Sequence, residues 1–113
     1  MKIPTFFSYR CRSVVWALLC WTAAWSTSAW AQADDARAKK IAGGSCFLCH
    51  GAQGESTSEV FPRLAGQHAE YVAKQLQAFK SGTRKSTAMA EMVAKLSPDE
   101  MLALGKYYEK MTL

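Results

Sequence analysis

The chain contains one pentapeptide that restricts its fold and chemistry more than any other feature: Cys46, Phe47, Leu48, Cys49, His50. Two thiols stand three positions apart, and an imidazole follows the second directly. Three kinds of protein use such a pair: a redox dithiol, a zinc module, and a chain that anchors a prosthetic group through sulfur. The dithiol needs a strand-to-helix junction in a βαβ setting. Zinc needs four ligands at suitable spacings. The anchor needs the histidine where it is and ligands elsewhere in the chain. The rest of the sequence has to choose between them.

The N-terminus alters the count of available thiols. Lys2, Arg10 and Arg12 form a basic head, and the apolar run from Val14 to Trp25 follows it. Ala29-Trp30-Ala31 then presents small residues where a signal peptidase reads them. Residues 1–31 are expected to be a cleavable signal peptide, cut between Ala31 and Gln32, with an uncleaved membrane anchor as the competing reading. Cys20 follows Leu19 rather than a small residue, which argues against lipid attachment there. On cleavage Cys11 and Cys20 are lost, and only Cys46 and Cys49 remain. Of the 14 basic residues, Lys2, Arg10 and Arg12 leave with the leader; eleven stay against nine acids, a charge of +2. No dense basic stripe is left, so a nucleic-acid partner is not expected. The remaining domain, residues 32–113, is near the lower size limit for a core without a disulfide, metal or cofactor.

Three helical stretches punctuate this domain. The first is expected from about Asp34 to Ser45, with Asp34 and Asp35 at its positive end and Ala38, Ile41, Ala42 and Ser45 on one face. It feeds directly into the cysteine motif. The second is expected from Ala69 to Lys80, with Tyr71, Val72, Leu76 and Phe79 as its apolar face and Ser81-Gly82 ending it. The third opens with Ser97 as N-cap, Pro98 at the first helical position and Glu100 closing a capping box. Met101, Leu104, Gly105 and Tyr108 lie along its apolar stripe. No run of β-branched residues alternates with polar ones, so no strand is expected. Between the second and third helices a segment expected to be a loop carries Met89 and Met92.

Without strands the dithiol reading loses its setting. Zinc would have to use two cysteines, His50 and a distant His68, at a spacing no common zinc module has. A disulfide across two residues would be strained and would leave His50 unexplained. Covalent haem accounts for all three residues. The thiols of Cys46 and Cys49 add across the two vinyl groups, and His50 is brought under the iron as an axial ligand. That attachment is made outside the cytoplasm, in agreement with the leader. A methionine thioether as sixth ligand raises the reduction potential and suits electron transfer. Met101 reads as core packing and Met111 is near the terminus, which leaves Met89 and Met92.

Three segments together resemble class I c-type cytochromes of the c4 and c553 type: "CFLCHGAQGES", "FPRLAGQHAEYVAKQLQAFKSGTR" and "MAEMVAKLSPDEMLALGKYY". The resemblance covers nearly all of residues 43 to 110. It implies an all-α fold of three main helices around the haem, with the first and last helices crossing beside it. It implies His50 as proximal ligand and Met89, in preference to Met92, as distal ligand. It implies that the Pro62 carbonyl accepts the ring N–H of His50, and that Arg84 lies near a haem propionate, although an arginine in a solvated loop is an equally plain reading. The family often has glycine one or two turns before the first cysteine, at the helix crossing; here Ala38 or Ala42 must serve. Some relatives are two-haem chains, whereas this sequence has a single CxxCH and is expected to carry one haem.

The expected function is that of a periplasmic, monohaem electron carrier that turns over no substrate and exchanges electrons with redox partner proteins. A membrane-bound oxidase or dehydrogenase is a candidate partner. Lys74, Lys80, Arg84 and Lys85 are candidates for a docking face, with an ordinary solvated surface as the plainer explanation. Two alternatives stay open: a haem subunit of a larger dehydrogenase or oxidase complex, and a haem enzyme or sensor whose sixth position is free. The oligomeric state is not legible.

Overall fold

The computed structural model describes residues 27–56 and 58–112, and the core belongs to the unit Gln32–Leu113. The basic head and apolar run of the expected leader lie outside the described residues. Among those described there are four helices and no strand. No described helix is long and apolar enough to cross a membrane.

Helix α1 spans Thr27–Ile41, continues through a π-helical turn at Ala42–Cys46 and ends in one α-turn at Phe47–His50. It begins seven residues before the expected start at Asp34. The alanine-rich stretch ahead of the aspartates holds no glycine or proline to stop a helix. Asp34 and Asp35 therefore sit inside α1 and do not cap its first turn. Asp35 has a different role: its Oδ1 accepts from Lys110 Nζ at 2.9 Å, joining the two ends of the domain. Both side chains are solvated, so the pair contributes about 1 kcal/mol or less.

The π-turn was not expected. Its widening falls on Gly43 and Gly44, the poorest helix formers short of proline. Phe47 N–H reaches back five residues to the Ala42 carbonyl, and the Ser45 hydroxyl donates to the Ile41 carbonyl at 3.3 Å. One extra residue in a turn rotates everything after it. The stripe that buries Ala38 and Ala42 is thereby reset before the cysteine motif begins.

Helix α2 spans Ala69–Ser81, and Gly82 closes it in the left-handed conformation at φ +77°. Its first N–H groups are not capped by His68. Ala69 N–H donates instead to Glu109 Oε1 at 3.1 Å, a contact across 40 residues of sequence. Helix α3 spans Thr87–Val93 and replaces the expected loop. Helix α4 spans Pro98–Glu109 and has the expected capping box: Glu100 N–H to Ser97 Oγ at 3.2 Å, and Ser97 N–H to Glu100 Oε2 at 2.9 Å.

Ala38, Ala42, Ala103, Leu104 and Tyr108 form the central cluster, with Ile41, Leu76 and Leu96 packed around it. Ala38 and Ala42 of α1 are both buried in one cluster with Ala103, Leu104 and Tyr108 of α4. Met101 is 1% exposed and is packing, as expected. The closest backbone approach lies elsewhere. A Cβ on Gly105 of α4 would stand 2.9 Å from Ala69 Cα and closer still to the Ala69 carbonyl oxygen at the start of α2.

Two outcomes follow from this packing. Gly105→Ala forces backbone against backbone and is expected to cost about 1–3 kcal/mol in denaturant unfolding. Glu100 is held below the ordinary carboxylate range, first by the Ser97 N–H it accepts. A carboxyl with a depressed folded value stabilises above its unfolded value and loses that contribution as pH falls through the folded one. Acid titration of unfolding should therefore show a loss of stability beginning below about pH 4.5 that is smaller in Glu100→Gln.

Candidate functional site

The helices do not close over one another completely. They leave a cavity of about 420 Å³, lined by residues of α1, the loop after it, α2, α3 and α4. That lies within the range of about 300–1,000 Å³ typical of sites for small molecules and cofactors. The apolar face expected on α2 points here: Tyr71, Val72, Leu76 and Phe79 all line the cavity. Only Val72 is buried, and Tyr71 is 50% exposed, because the face has little protein to cover it.

Cys46, Cys49 and His50 enter the cavity from the C-terminal end of α1. Both thiols are free, Cys46 partly buried and Cys49 exposed. Burial pushes the Cys46 thiol up, partly offset by hydrogen bonds with Tyr108 and Ser45. His50 is the one buried polar or charged residue among those described, at 6% exposure. Its Nδ1 lies 2.7 Å from the Pro62 carbonyl oxygen. A carbonyl can only accept, so Nδ1 carries the proton and donates it. The lone pair is then on Nε2, which is free to bind a metal. Phe61 packs edge-on to the imidazole, with ring centroids 6.1 Å apart.

Met89 and Met92 both reach the cavity, three residues apart on α3. Met89 is half-buried, whereas Met92 is 48% exposed. The turn that carries Met89 is fixed by Ser86, whose extended backbone and hydroxyl cap α3: Oγ accepts from Met89 N–H at 3.3 Å. The sequence holds this signal, a serine three positions before Met89, but α3 is so short that its periodicity does not show.

Arg84 lies on the cavity wall. Its Nη1 donates to Gln75 Oε1 at 2.6 Å, and its guanidinium stacks over the Phe79 ring at 4.6 Å. Arg63 and Lys85 line the cavity too, so three cations are available to acidic groups. Arg63 and Gln67 were not singled out in the sequence; they enter because the Pro62 loop wraps the cavity. Lys80, considered for docking, is exposed and donates to the Leu96 carbonyl at 2.5 Å. Lys74 is exposed.

This donor set fits a covalently held haem. Two free thiols flank the entry, a buried imidazole offers Nε2, thioethers stand on another wall, apolar side chains surround the space, and arginines are present for carboxylates. It does not fit zinc. Among the described residues no three side chains of metal-ligating type cluster, and His68 lies outside the cavity beside Glu109, with Nδ1 3.6 Å from Oε1.

Comparison with known proteins agrees with this donor set. The family model described as Cytochrome c matches residues 36–112. The chain is 44% identical over 77 residues to cytochrome c4 of Thiocapsa roseopersicina, a match covering 68% of this chain and 38% of that protein. It is 33% identical to cytochrome c-554(548) of Halomonas halodenitrificans, covering 67% of this chain and 95% of that protein. A thiosulfate dehydrogenase electron acceptor from Thiomonas intermedia is 41% identical over 59% of this chain and 31% of its own length. The crystal structure of reduced cytochrome c4 from Pseudomonas stutzeri superposes with a TM-score of 0.66 at 33% identity, covering 72% of this chain and 50% of that one. The chain thus spans about two fifths of the length of the cytochrome c4 relatives it matches.

The cap on α3 gives a direct test of how Met89 is held. Ser86→Ala is expected to cost about 1 kcal/mol in unfolding, while Thr87→Ala, which removes no cap, should stay within about 0.5 kcal/mol.

Proposed function

Because this chain belongs to the cytochrome c family, in which C-x-x-C-H carries haem c through two thioether bonds, we propose that it is an exported one-electron carrier with a single haem. The observation that carries the proposal is the buried His50, its Nδ1 proton given to Pro62, beside two free thiols and a half-buried methionine in one cavity. When bound, haem c supplies a ferrous/ferric couple.

The chain's own residues determine how that couple behaves. Cys46 and Cys49 hold the group covalently. His50 ligates through Nε2, with its ring orientation and basicity set by the bond to Pro62. Met89 ligates through its thioether, which favours the reduced state. Val72, Leu76 and Phe79 exclude water and so disfavour the added charge of the oxidised state. Arg84, on the cavity wall, would be available to pair with a propionate. An electron carrier of this family turns over no substrate.

Export to the periplasm is supported by the leader pattern in residues 1–31. The partners proposed are redox proteins, and a dehydrogenase is the donor class favoured. The support is the relative described as an electron acceptor of thiosulfate dehydrogenase. Service as a subunit of a larger complex is compatible with the same site.

Ligation is tested by the far-red charge-transfer band between methionine sulfur and ferric iron. The band should be present in the oxidised protein, absent in Met89→Ala and retained in Met92→Ala. Loss in Met92→Ala alone would move the ligand to Met92. Absence of the band from the unmodified protein would support the reading with an open sixth position.

A further inference from the structure

The segment between the cysteine motif and Pro62 contains a residue in a conformation its side chain disfavours. Ser56 has φ +40°, and it is the one non-glycine residue with positive φ among those described. Such outliers persist where the surroundings over-determine them, and they gather at functional sites. Ser56 is held on two sides. Its N–H donates to the His50 carbonyl at 2.9 Å. Its hydroxyl faces the Phe61 carbonyl at 2.7 Å and the Ser58 carbonyl at 3.2 Å, and accepts from Ser58 N–H at 3.4 Å. The shortest of these makes Phe61 the principal acceptor of its proton.

Those two backbone anchors have a shared property. The first belongs to His50, and the second immediately precedes Pro62, whose carbonyl takes the His50 ring proton at 2.7 Å. A single serine therefore spans from the backbone of the imidazole to the backbone of its acceptor. We propose that Ser56 is the positioning residue for His50: its bridge sets the distance from the Pro62 carbonyl to Nδ1, and through it the electron donation of the imidazole to iron. The inference rests on His50 being an axial ligand. An imidazole that gives its N–H to a carbonyl is a stronger donor and favours the ferric state. Loosening the bridge weakens that donation and favours the ferrous state, so the reduction potential rises.

The same bonds would be present if Ser56 only stabilised a loop, and three substitutions in the haem-loaded protein separate the two roles. Ser56→Ala removes the hydroxyl and keeps the backbone penalty. Ser56→Gly removes the hydroxyl and the penalty together, since glycine takes positive φ freely. Ser58→Ala removes a neighbouring hydroxyl that accepts only from Val60 N–H, at 3.2 Å. The readouts are the midpoint potential, the NMR resonance of the His50 ring N–H in the reduced protein, and the unfolding midpoint.

Both Ser56 variants should shift the ferrous-to-ferric ratio at a fixed ambient potential about threefold toward ferrous. That corresponds to about 28 mV at 59 mV per tenfold for one electron. Both should move the ring N–H resonance. Ser56→Gly should unfold later than Ser56→Ala, and Ser58→Ala should leave potential and resonance at the unmodified values. Wild-type potential and resonance in Ser56→Gly, whatever happens to stability, would overturn the proposal. An unmodified protein whose spectrum lacks a histidine-ligated low-spin iron would overturn the ligation reading as well, and is distinguished because it precedes any substitution.

Discussion

The core of this domain lacks enough side-chain volume at its centre to close by itself. Its buried cluster consists largely of alanines with one leucine and one tyrosine, and the larger apolar residues of α2 look into the cavity. Residues 32–113 are close to the size, about 70–80 residues, below which a single core rarely supplies more than about 3–5 kcal/mol. Filling the cavity with a large apolar ring system would cover Tyr71, Leu76 and Phe79 at once. The covalent link at Cys46 and Cys49 makes that filling part of the chain. Folding, packing and redox chemistry thus depend on one occupied space, and each helix can be read by what it brings to it.

Each wall contributes a different chemistry, and local sequence explains how. The end of α1 delivers the thiols and His50 after a π-turn that two glycines permit. The loop from Gly51 to Gly66 brings Pro62 back onto His50; Gly54 accepts from both Leu64 and Ala65 N–H at 2.8 and 3.0 Å, which tightens its return. Helix α3 presents the methionines from a Ser86 cap. Helix α4 contributes Leu104 and Tyr108 to the wall and closes against α2 where Gly105 lets the backbones touch.

Much of this was legible in the residues because the signals were local. The pentapeptide specifies its own chemistry, and Ser97-Pro98-Asp99-Glu100 forms the capping box it spells. The Pro62 carbonyl, expected from likeness to a family, lies 2.7 Å from His50 Nδ1, and Arg84 lines the cavity. What escaped depends on context. Helix α3 is only seven residues long, too short for periodicity to reveal, though Ser86 marks its start. Asp34 and Asp35 look like a helix start, yet in the uncleaved chain α1 begins at Thr27 and runs through them, and Asp35 pairs with Lys110. The π-turn escaped because a glycine pair weakens a helix without specifying a π-turn, and neither Gly43 nor Gly44 has a neighbour within 4 Å that would require a glycine there. Ser56 was invisible because its role lies in the distance between two carbonyls far apart along the loop.

The central claim is that one covalently attached haem completes this domain. The most direct test is the intact mass of the purified protein from an exporting host, measured under denaturing conditions. The account predicts the polypeptide beginning at Gln32 plus the mass of one haem, retained through denaturation. A folded protein whose mass is that of the polypeptide alone would contradict it.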